Sequence, residues 1–378
     1  MKTALILLSL ISFAFATPVL QMHSAFNAVT KLVPFITQKE LFLNKSNEKE
    51  IEGQLSELRN AFKSVKHDQL IKQDLFAPSY SIVNENIEES FSAFKQGKKD
   101  YSHWRLKQLS SACIDCHTRV PTAHPSSFEM GDIAINTTKY KNSYNLGIAQ
   151  LIVRRYPDAK TSFTKDIDER IIKNFMKDLI DPFKQILLID AKVLKDPKDM
   201  GVFVEHYLGK KQTPDEIKMT LAKWKERLKI WEKRTKKTSS LANDSEAKEF
   251  IREYVSPLKN ISYSSEGYDV DALLISGTLS NYLFTNPRSK IAPELNFWIG
   301  WAEKTLKRDN FFGSGDLFLK QCIIRYPTDP YAKECFKEYK ESIEFEFSGS
   351  RGTDIPAEVL QELNELEKML PKKKKKTK

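Results

Sequence analysis

The sequence has few glycines, few cysteines and few long apolar runs, and these shortages exclude some classes of protein. Only 13 of the 378 residues are Gly, while 40% are apolar and 29% are charged. This composition is typical of a soluble, helix-rich chain of two or three domains. After residue 16 no segment is long and apolar enough to span a membrane, and the absence of a Cys after Ala16 excludes a lipid-anchored cysteine there.

The first 16 residues have the pattern of a secretory signal peptide. Met1-Lys2-Thr3 is a positively charged start, residues 4–15 are mostly apolar, and Ala14-Phe15-Ala16 is a small-x-small cleavage site. We expect cleavage after Ala16 and a mature chain in an oxidising compartment, either the periplasm or the cell exterior. An uncleaved anchor is the alternative.

Acidic residues are fewer than basic ones, but the excess of positive charge is concentrated at one end. The formal net charge is +10, and six Lys follow Pro371. The rest of the chain is therefore closer to balance, which argues against a nucleic-acid-binding face. We expect the segment after Pro371 to be a disordered, solvated tail, with contact to an anionic surface or an acidic partner as the alternative.

Two of the four cysteines lie three residues apart and are followed by a histidine. They form Cys113-Ile114-Asp115-Cys116-His117, the C-x-x-C-H signature of c-type haem attachment. In such a site two thiols one helical turn apart add to the vinyl groups of one haem, and the histidine binds the iron. The sequence therefore predicts one covalent haem c, held by Cys113 and Cys116, with His117 as the proximal iron ligand.

Two other kinds of site share the Cys-x-x-Cys spacing, and the surrounding sequence disfavours both. A thioredoxin-like redox pair lies between a strand and a helix, whereas here a helix leads into Cys113. A zinc site needs a second pair of ligands nearby, and His124 supplies only one.

The segment between the signal and the motif has helical periodicity. We predict four helices here, the first limited by Pro34, the third ending at Gly97 and the fourth running from about Asp100 through the motif. The clearest apolar stripe steps by four and three residues, as in a helix that packs against a bundle. That stripe consists of Ile51, Leu55, Leu58, Phe62 and Val65.

Four helices with the haem motif on the last one resemble the four-helix cytochromes of the cytochrome c-prime type, over residues 17–125. The resemblance implies that a residue of the first helix lines the distal side of the haem, which by position is Met22. A thioether ligand from Met22 would give a six-coordinate His/Met iron suited to electron transfer. The alternatives are ligation by His23, or an open face that binds NO or CO.

Arg119 follows the motif closely, and an arginine pairs well with a haem propionate. An ordinary solvent-exposed arginine is the alternative. We expect His67, His103 and His124 to lie at the surface.

Residues 126–140 form a predicted linker, because the segment 121–140 contains two prolines, Pro121 and Pro125, and many small polar residues. Residues 141–346 are helical in pattern. A weak internal repeat is indicated by two similar segments, Ile152-Val153-Arg154-Arg155-Tyr156-Pro157 and Ile323-Ile324-Arg325-Tyr326-Pro327. With glycines where helices would cross, this region resembles an irregular array of tetratricopeptide (TPR-like) hairpins; a non-repeating helical domain is the alternative. Residues 347–378 are expected to be a polar segment, a short acidic helix and the lysine tail.

Cys322 and Cys335 flank a predicted turn between two helices at similar distances. Antiparallel helices would bring the two cysteines together, so we predict that they form a disulfide in an oxidising compartment. Two separate buried thiols are the alternative. Trp224 and Trp231 belong to one apolar helical stripe, which we expect to face the core rather than a binding surface.

The predicted protein is all-α, with an N-terminal four-helix-bundle haem domain and a C-terminal TPR-like domain. Its expected function is one-electron transfer by an exported monohaem c-type cytochrome, whose C-terminal domain docks a redox partner or another protein. Two alternatives stay open: a haem-based sensor of small gases, and a TPR-like interaction scaffold that carries a haem. A peroxidase-type enzyme is disfavoured, because the chain has one C-x-x-C-H and no distal His–Arg pair.

Overall fold

The computed structural model describes residues 17–65, 70–119, 135–234, 240–260, 267–308, 314–350 and 352–371. Within these ranges the regular structure is helical except for a two-residue antiparallel ladder between β1 (Ser348–Gly349) and β2 (Gly352–Thr353). The prediction of an all-α protein is therefore confirmed. The predicted signal peptide, His67, His124, most of the predicted linker and the lysine tail lie outside the described residues.

The N-terminal part consists of α1 (Thr17–Thr37), α2 (Lys39–Leu43), α3 (Glu48–Val65), α4 (Ala77–Lys95) and α5 (Lys99–His117). Helix α1 packs against α3, α3 against α4, α4 against α5, and α5 against α1. The predicted stripe of α3 faces this interior, where its first four members are buried.

Two helix ends show where local sequence rules applied and where they did not. Helix α4 ends at Lys95, and Gly97 follows with φ +75°, a left-handed conformation that costs glycine little. Pro34 does not limit α1, as the sequence had suggested, because the helix continues to Thr37. A proline removes one backbone donor, and the packing of α1 on its neighbours outweighs that loss.

The C-terminal part continues with eleven helices in the described residues, and neighbours in sequence pack on one another in several pairs, among them α6 on α7, α9 on α10, and α13 on both α12 and α14. Their bounds are α6 (Ser143–Ile152), α7 (Tyr156–Ile172), α8 (Ile180–Leu187), α9 (Pro197–Gly209), α10 (Asp215–Glu232), α11 (Asp244–Phe250), α12 (Tyr268–Thr285), α13 (Ala292–Arg308), α14 (Gly315–Arg325), α15 (Pro330–Glu346) and α16 (Ala357–Met369). Short 3-10 segments lie at Lys45–Asn47, Leu70–Lys72, Thr137–Lys139 and Ser256–Asn260, and π-helical segments at Leu188–Leu194 and Ile251–Val255.

The tryptophan stripe of α10 lies in the core, as predicted. Trp224 and Trp231 are both wholly buried. Their indole N–H groups donate to carboxylates of α12, Trp224 to Asp269 Oδ2 at 2.8 Å and Trp231 to Asp271 Oδ1 at 2.6 Å. A buried indole needs such an acceptor, so the pair is part of the interior rather than a docking surface.

Two glycines predicted to lie where helices cross do lie there. Gly300 of α13 and Gly315 of α14 approach so closely that a Cβ on Gly315 would collide with the carbonyl oxygen of Gly300. Another close approach joins Gly277 of α12 to the carbonyl of Lys192, in the π-helical segment after α8. Only glycine fits at these contacts without moving backbone.

Cys322 of α14 and Cys335 of α15 lie within disulfide-bonding distance, with their Cα atoms 6.3 Å apart. Both residues are wholly buried. The arrangement agrees with the predicted pair, because the turn between the two helices lets each cysteine face the other.

Buried apolar side chains from Ala25 to Leu366 form one contiguous cluster. Polar contacts also join the N-terminal and C-terminal parts. Asp74, just before α4, accepts hydrogen bonds from Arg325, Tyr326 and Asn296, and only 5% of its surface is exposed. Of the helices in the described ranges, none has the length and apolar character needed to cross a membrane.

Candidate functional site

The C-x-x-C-H sequence forms the last turn of α5. Cys113 is buried in the apolar core, Cys116 is half-buried, and both thiols are free of disulfides. The helix ends directly after His117, where the backbone N–H of Thr118 donates to Ile114 O at 2.9 Å. Because residues three apart share a helix face, the two sulfurs lie on the same side of α5.

The His117 imidazole is oriented by the turn between α6 and α7. Its Nδ1 lies 2.7 Å from the carbonyl oxygen of Ile152. A carbonyl only accepts, so Nδ1 carries the proton and Nε2 keeps its lone pair. Tyr156, four residues beyond Ile152, donates from its hydroxyl to the His117 carbonyl at 3.1 Å. Residues of the C-terminal part thus fix both the ring and the backbone of His117.

Burial shifts the pKa values of the two cysteines and the histidine of the motif toward their neutral forms. Burial, with a smaller contribution from the nearby Arg154 cation, lowers the pKa of His117 to about 4, so the imidazole is neutral at pH 7. Burial also raises the pKa of Cys113 to about 12 and that of Cys116 to about 11.

These properties differ from those of a reactive redox pair. Catalytic Cys-x-x-Cys thiols have lowered pKa values and commonly lie at a helix N-terminus. Cys113 and Cys116 instead lie at a helix C-terminus, where the dipole disfavours a thiolate. Among the described residues, no three or more His, Cys, Asp and Glu side chains lie together as a group that could hold a metal ion.

Arg119 is buried, not exposed at the surface. It forms an ion pair with Asp115 and lies 3.8 Å from Glu303 Oε1. Its guanidinium also donates to Ser79 Oγ at 2.8 Å and packs on the Phe318 ring. The structure therefore places Arg119 on protein carboxylates, and a role in holding a haem propionate stays a prediction.

Arg119 belongs to a group of four charged side chains, Asp115, Arg119, Lys192 and Glu303, that we call the buried charge cluster. Lys192 Nζ lies 2.7 Å from Glu303 Oε1 and 3.4 Å from Asp115 Oδ1. The four side chains are 0–5% exposed. Sequence reasoning missed the cluster, although a Lys and a Glu inside apolar runs are a weak signal of paired burial.

The sequence predicted a surface position for His103, and this is wrong, because the residue is only 6% exposed. Its Nε2 lies 3.0 Å from Ile36 O, and its ring packs against Phe42. Its place on the inner face of α5 explains the burial. Met22 and His23 lie on α1, and their side chains are outside the described residues, so the distal ligand stays a prediction.

The residues present fit a covalent haem. Two uncharged thiols on one face of a helix precede a neutral imidazole whose Nε2 lone pair is available. A hydrogen bond from the other ring nitrogen to a carbonyl is the usual way in which a protein fixes a metal-binding histidine.

Comparison of the chain with protein-family models, with characterised proteins and with solved structures gives no match.

Proposed function

We propose that this protein is an exported c-type cytochrome that carries one haem on Cys113 and Cys116, with His117 as the proximal iron ligand, and transfers single electrons. When bound, the haem iron supplies the one-electron couple between its ferric and ferrous states. The protein is then an electron carrier rather than an enzyme, and it exchanges electrons with a redox partner protein.

The hydrogen bond between His117 Nδ1 and the Ile152 carbonyl carries this proposal. It selects the tautomer that leaves Nε2 free, and it holds the ring in one orientation beside two thiols. Such a bond also makes the imidazole a stronger ligand, because a carbonyl that accepts the Nδ1–H hydrogen bond raises the basicity of Nε2.

We further propose that α1, α3, α4 and α5 form a four-helix bundle of the cytochrome c-prime type. The closed order of packing, with α5 back on α1, supports it. Met22 lies on α1, the helix that closes this order against α5, which supports Met22 as the distal ligand. The helical pairs from α6 to α15 support an irregular TPR-like region, with docking of a partner protein as its expected role.

Covalent haem retention is the direct test. The full-length gene is expressed in a bacterial host that makes c-type cytochromes, and the exported protein is denatured and separated by electrophoresis. We expect haem to stay on the denatured chain. Replacing both Cys113 and Cys116 by Ala should abolish this, while the matched control Cys322→Ala/Cys335→Ala should retain haem. A colourless exported wild-type chain would refute the proposal.

The absorption spectrum separates electron transfer from gas binding. Met22 ligation predicts a low-spin spectrum with the weak ferric band typical of a methionine–iron bond, and Met22→Ala should convert it to high spin. Met219, which is exposed on α10, provides the matched control, and Met219→Ala should leave the spectrum unchanged. A high-spin wild-type spectrum that shifts on adding CO would favour the gas-binding alternative instead.

A further inference from the structure

We propose that the buried charge cluster sets the reduction potential of the haem, so that residues of the C-terminal part control the electron affinity of the site. This inference rests on the proposed cytochrome function.

The cluster begins inside the attachment motif. Asp115 is one of the two residues between Cys113 and Cys116, so its position is fixed relative to the two thiols to which the haem would be attached. Its partner Lys192 lies 77 residues along the chain, and Lys192 in turn contacts Glu303, 111 residues further on. The haem-attachment turn is thus connected by charges to the segment after α8 and to α13.

Burial makes these charges effective at a distance. Solvent screens exposed charges within about 10 Å at moderate salt, whereas buried charges are screened far less. The cluster holds two cations and two anions, all 0–5% exposed. Its parts balance, so removing any one side chain leaves a net buried charge beside the motif.

The electrostatic effect of the cluster reaches the motif. Asp115 lies between the two thiols of the motif, and it is ion-paired with Arg119 and, with 3.4 Å between Oδ1 and Nζ, with Lys192. A net positive charge near a haem favours the reduced iron, and a net negative charge favours the oxidised iron.

A merely structural cluster would behave differently. Lys192 and Glu303 hold the segment after α8 against α13, and Ser276 also donates to Glu303. If that were their whole role, both substitutions would loosen the same contact and shift the potential in the same direction or not at all. Opposite shifts for opposite charges distinguish the two explanations.

The test uses the full-length haem-bearing protein and measures the midpoint potential by spectroelectrochemistry. Lys192→Met should lower the potential, and Glu303→Gln should raise it. For each we expect about a tenfold change in the equilibrium constant for reduction, or 59 mV for one electron. The double variant Lys192→Met/Glu303→Gln restores the balance and should return near the wild-type value, as should Lys192→Arg.

A matched buried pair controls for local destabilisation. Lys304 of α13 and Glu338 of α15 form an ion pair with similar burial, at 4% and 6% side-chain exposure, and neither belongs to the buried charge cluster. Lys304→Met and Glu338→Gln should give smaller shifts. If Lys192→Met does not fold, Lys192→Gln, which keeps a hydrogen-bonding side chain, serves in its place: it also removes one positive charge, so it should lower the potential as Lys192→Met does.

Potentials of Lys192→Met and Glu303→Gln that move in the same direction, or not at all, would overturn this inference while a haem-bearing chain keeps the cytochrome proposal intact. A wild-type chain without covalent haem would overturn both.

Discussion

At the scale of single residues, Asp271 shows how the protein accommodates a buried charge. It is 1% exposed and accepts from Arg227 Nε and Nη2 at 2.6 and 2.7 Å and from Trp231 Nε1 at 2.6 Å. Asp271→Ala would leave an arginine and an indole without their acceptor. We expect it to lower the free energy of unfolding by about 3 kcal/mol, measured by urea denaturation.

A surface ion pair between α9 and α10, the helix that carries Arg227, is the control for that prediction. Lys225 of α10 pairs with the exposed Glu205 of α9 at 3.0 Å. Solvent and salt screen such a pair, so Glu205→Ala should leave the urea midpoint unchanged within error. Equal effects of Asp271→Ala and Glu205→Ala would contradict the assignment of Asp271 as a buried acceptor.

Asp190 gives a pH dependence with a defined sign. Burial raises the pKa of Asp190 to about 6, although Lys160 Nζ lies 2.6 Å away. Between about pH 4 and pH 6 the folded chain therefore binds more protons at this site than the unfolded chain. The contribution of Asp190 to stability falls as pH rises through this window, by about 3 kcal/mol in all.

Asp190→Asn should remove that dependence. The unfolding free energy of the wild type minus that of the variant should decrease from pH 4 to pH 6 and then level off, as measured by urea denaturation at each pH. A difference that stays constant across the window would show that the aspartate has the same pKa in both states.

Single residues also mark how far the sequence alone could go toward the site. The spacing of Cys113, Cys116 and His117 is local, so it predicted the motif and its place on a helix. The burial of Arg119 and His103 was not predictable, because it depends on contacts with Glu303 and Ile36 that are far away in sequence. The Ile152 carbonyl has no side-chain signature at all.

At the scale of secondary-structure elements, Gly277 determines how closely α12 approaches the π-helical segment Leu188–Leu194. A Cβ at this position would overlap the Lys192 carbonyl. We expect Gly277→Ala to destabilise the protein by about 1–3 kcal/mol through overpacking, despite the better helix propensity of alanine. Thermal unfolding followed by circular dichroism measures the change.

Gly201 of α9 is the matched control, because a Cβ there would meet nothing within 4 Å. Gly201→Ala should stabilise the protein by about 0.5–1 kcal/mol, since alanine loses less backbone entropy in a helix. If both substitutions stabilise the protein, the close approach at Gly277 is not a constraint.

The α14–α15 pair gives a prediction about redox conditions. A disulfide between Cys322 and Cys335 closes a loop with a sequence separation of 13 residues. Cys335→Ser should lower stability by about 3 kcal/mol under oxidising conditions. Adding a reductant should lower the wild type to the same level and leave the variant unchanged; an equal response of both would argue against the bond.

Helical periodicity predicted many elements well, because each stripe needs only its own residues. The α3 and α10 stripes and the short helix α16 all appear where the pattern indicated. The passage of α1 through Pro34 and the π-helical segments were not predicted. They depend on what packs against the helix, and a propensity rule cannot include that.

At the scale of the whole molecule, the N-terminal and C-terminal parts share contacts that a sequence-derived linker does not suggest. His117 Nδ1 is hydrogen-bonded to the carbonyl oxygen of Ile152, and the buried charge cluster joins α5 to α13. Gln38 Nε2 donates to Lys139 O at 2.8 Å. Long-range pairs of this kind leave no periodic signal. The C-terminal part therefore supplies contacts to the candidate site.

The same contacts predict that the described parts unfold together. One contiguous apolar cluster and buried polar links mean that opening either part exposes surface of the other. Scanning calorimetry of the full chain should therefore show one transition, with matching calorimetric and van't Hoff enthalpies.

Asp74→Ala removes the acceptor shared by Arg325, Tyr326 and Asn296, so it should lower the midpoint by about 3 °C without splitting the transition. Asp158→Ala, which removes a surface ion pair with Arg155, should leave the midpoint unchanged. Two separate transitions in the wild type would mean that the links between the parts are too weak to couple their unfolding.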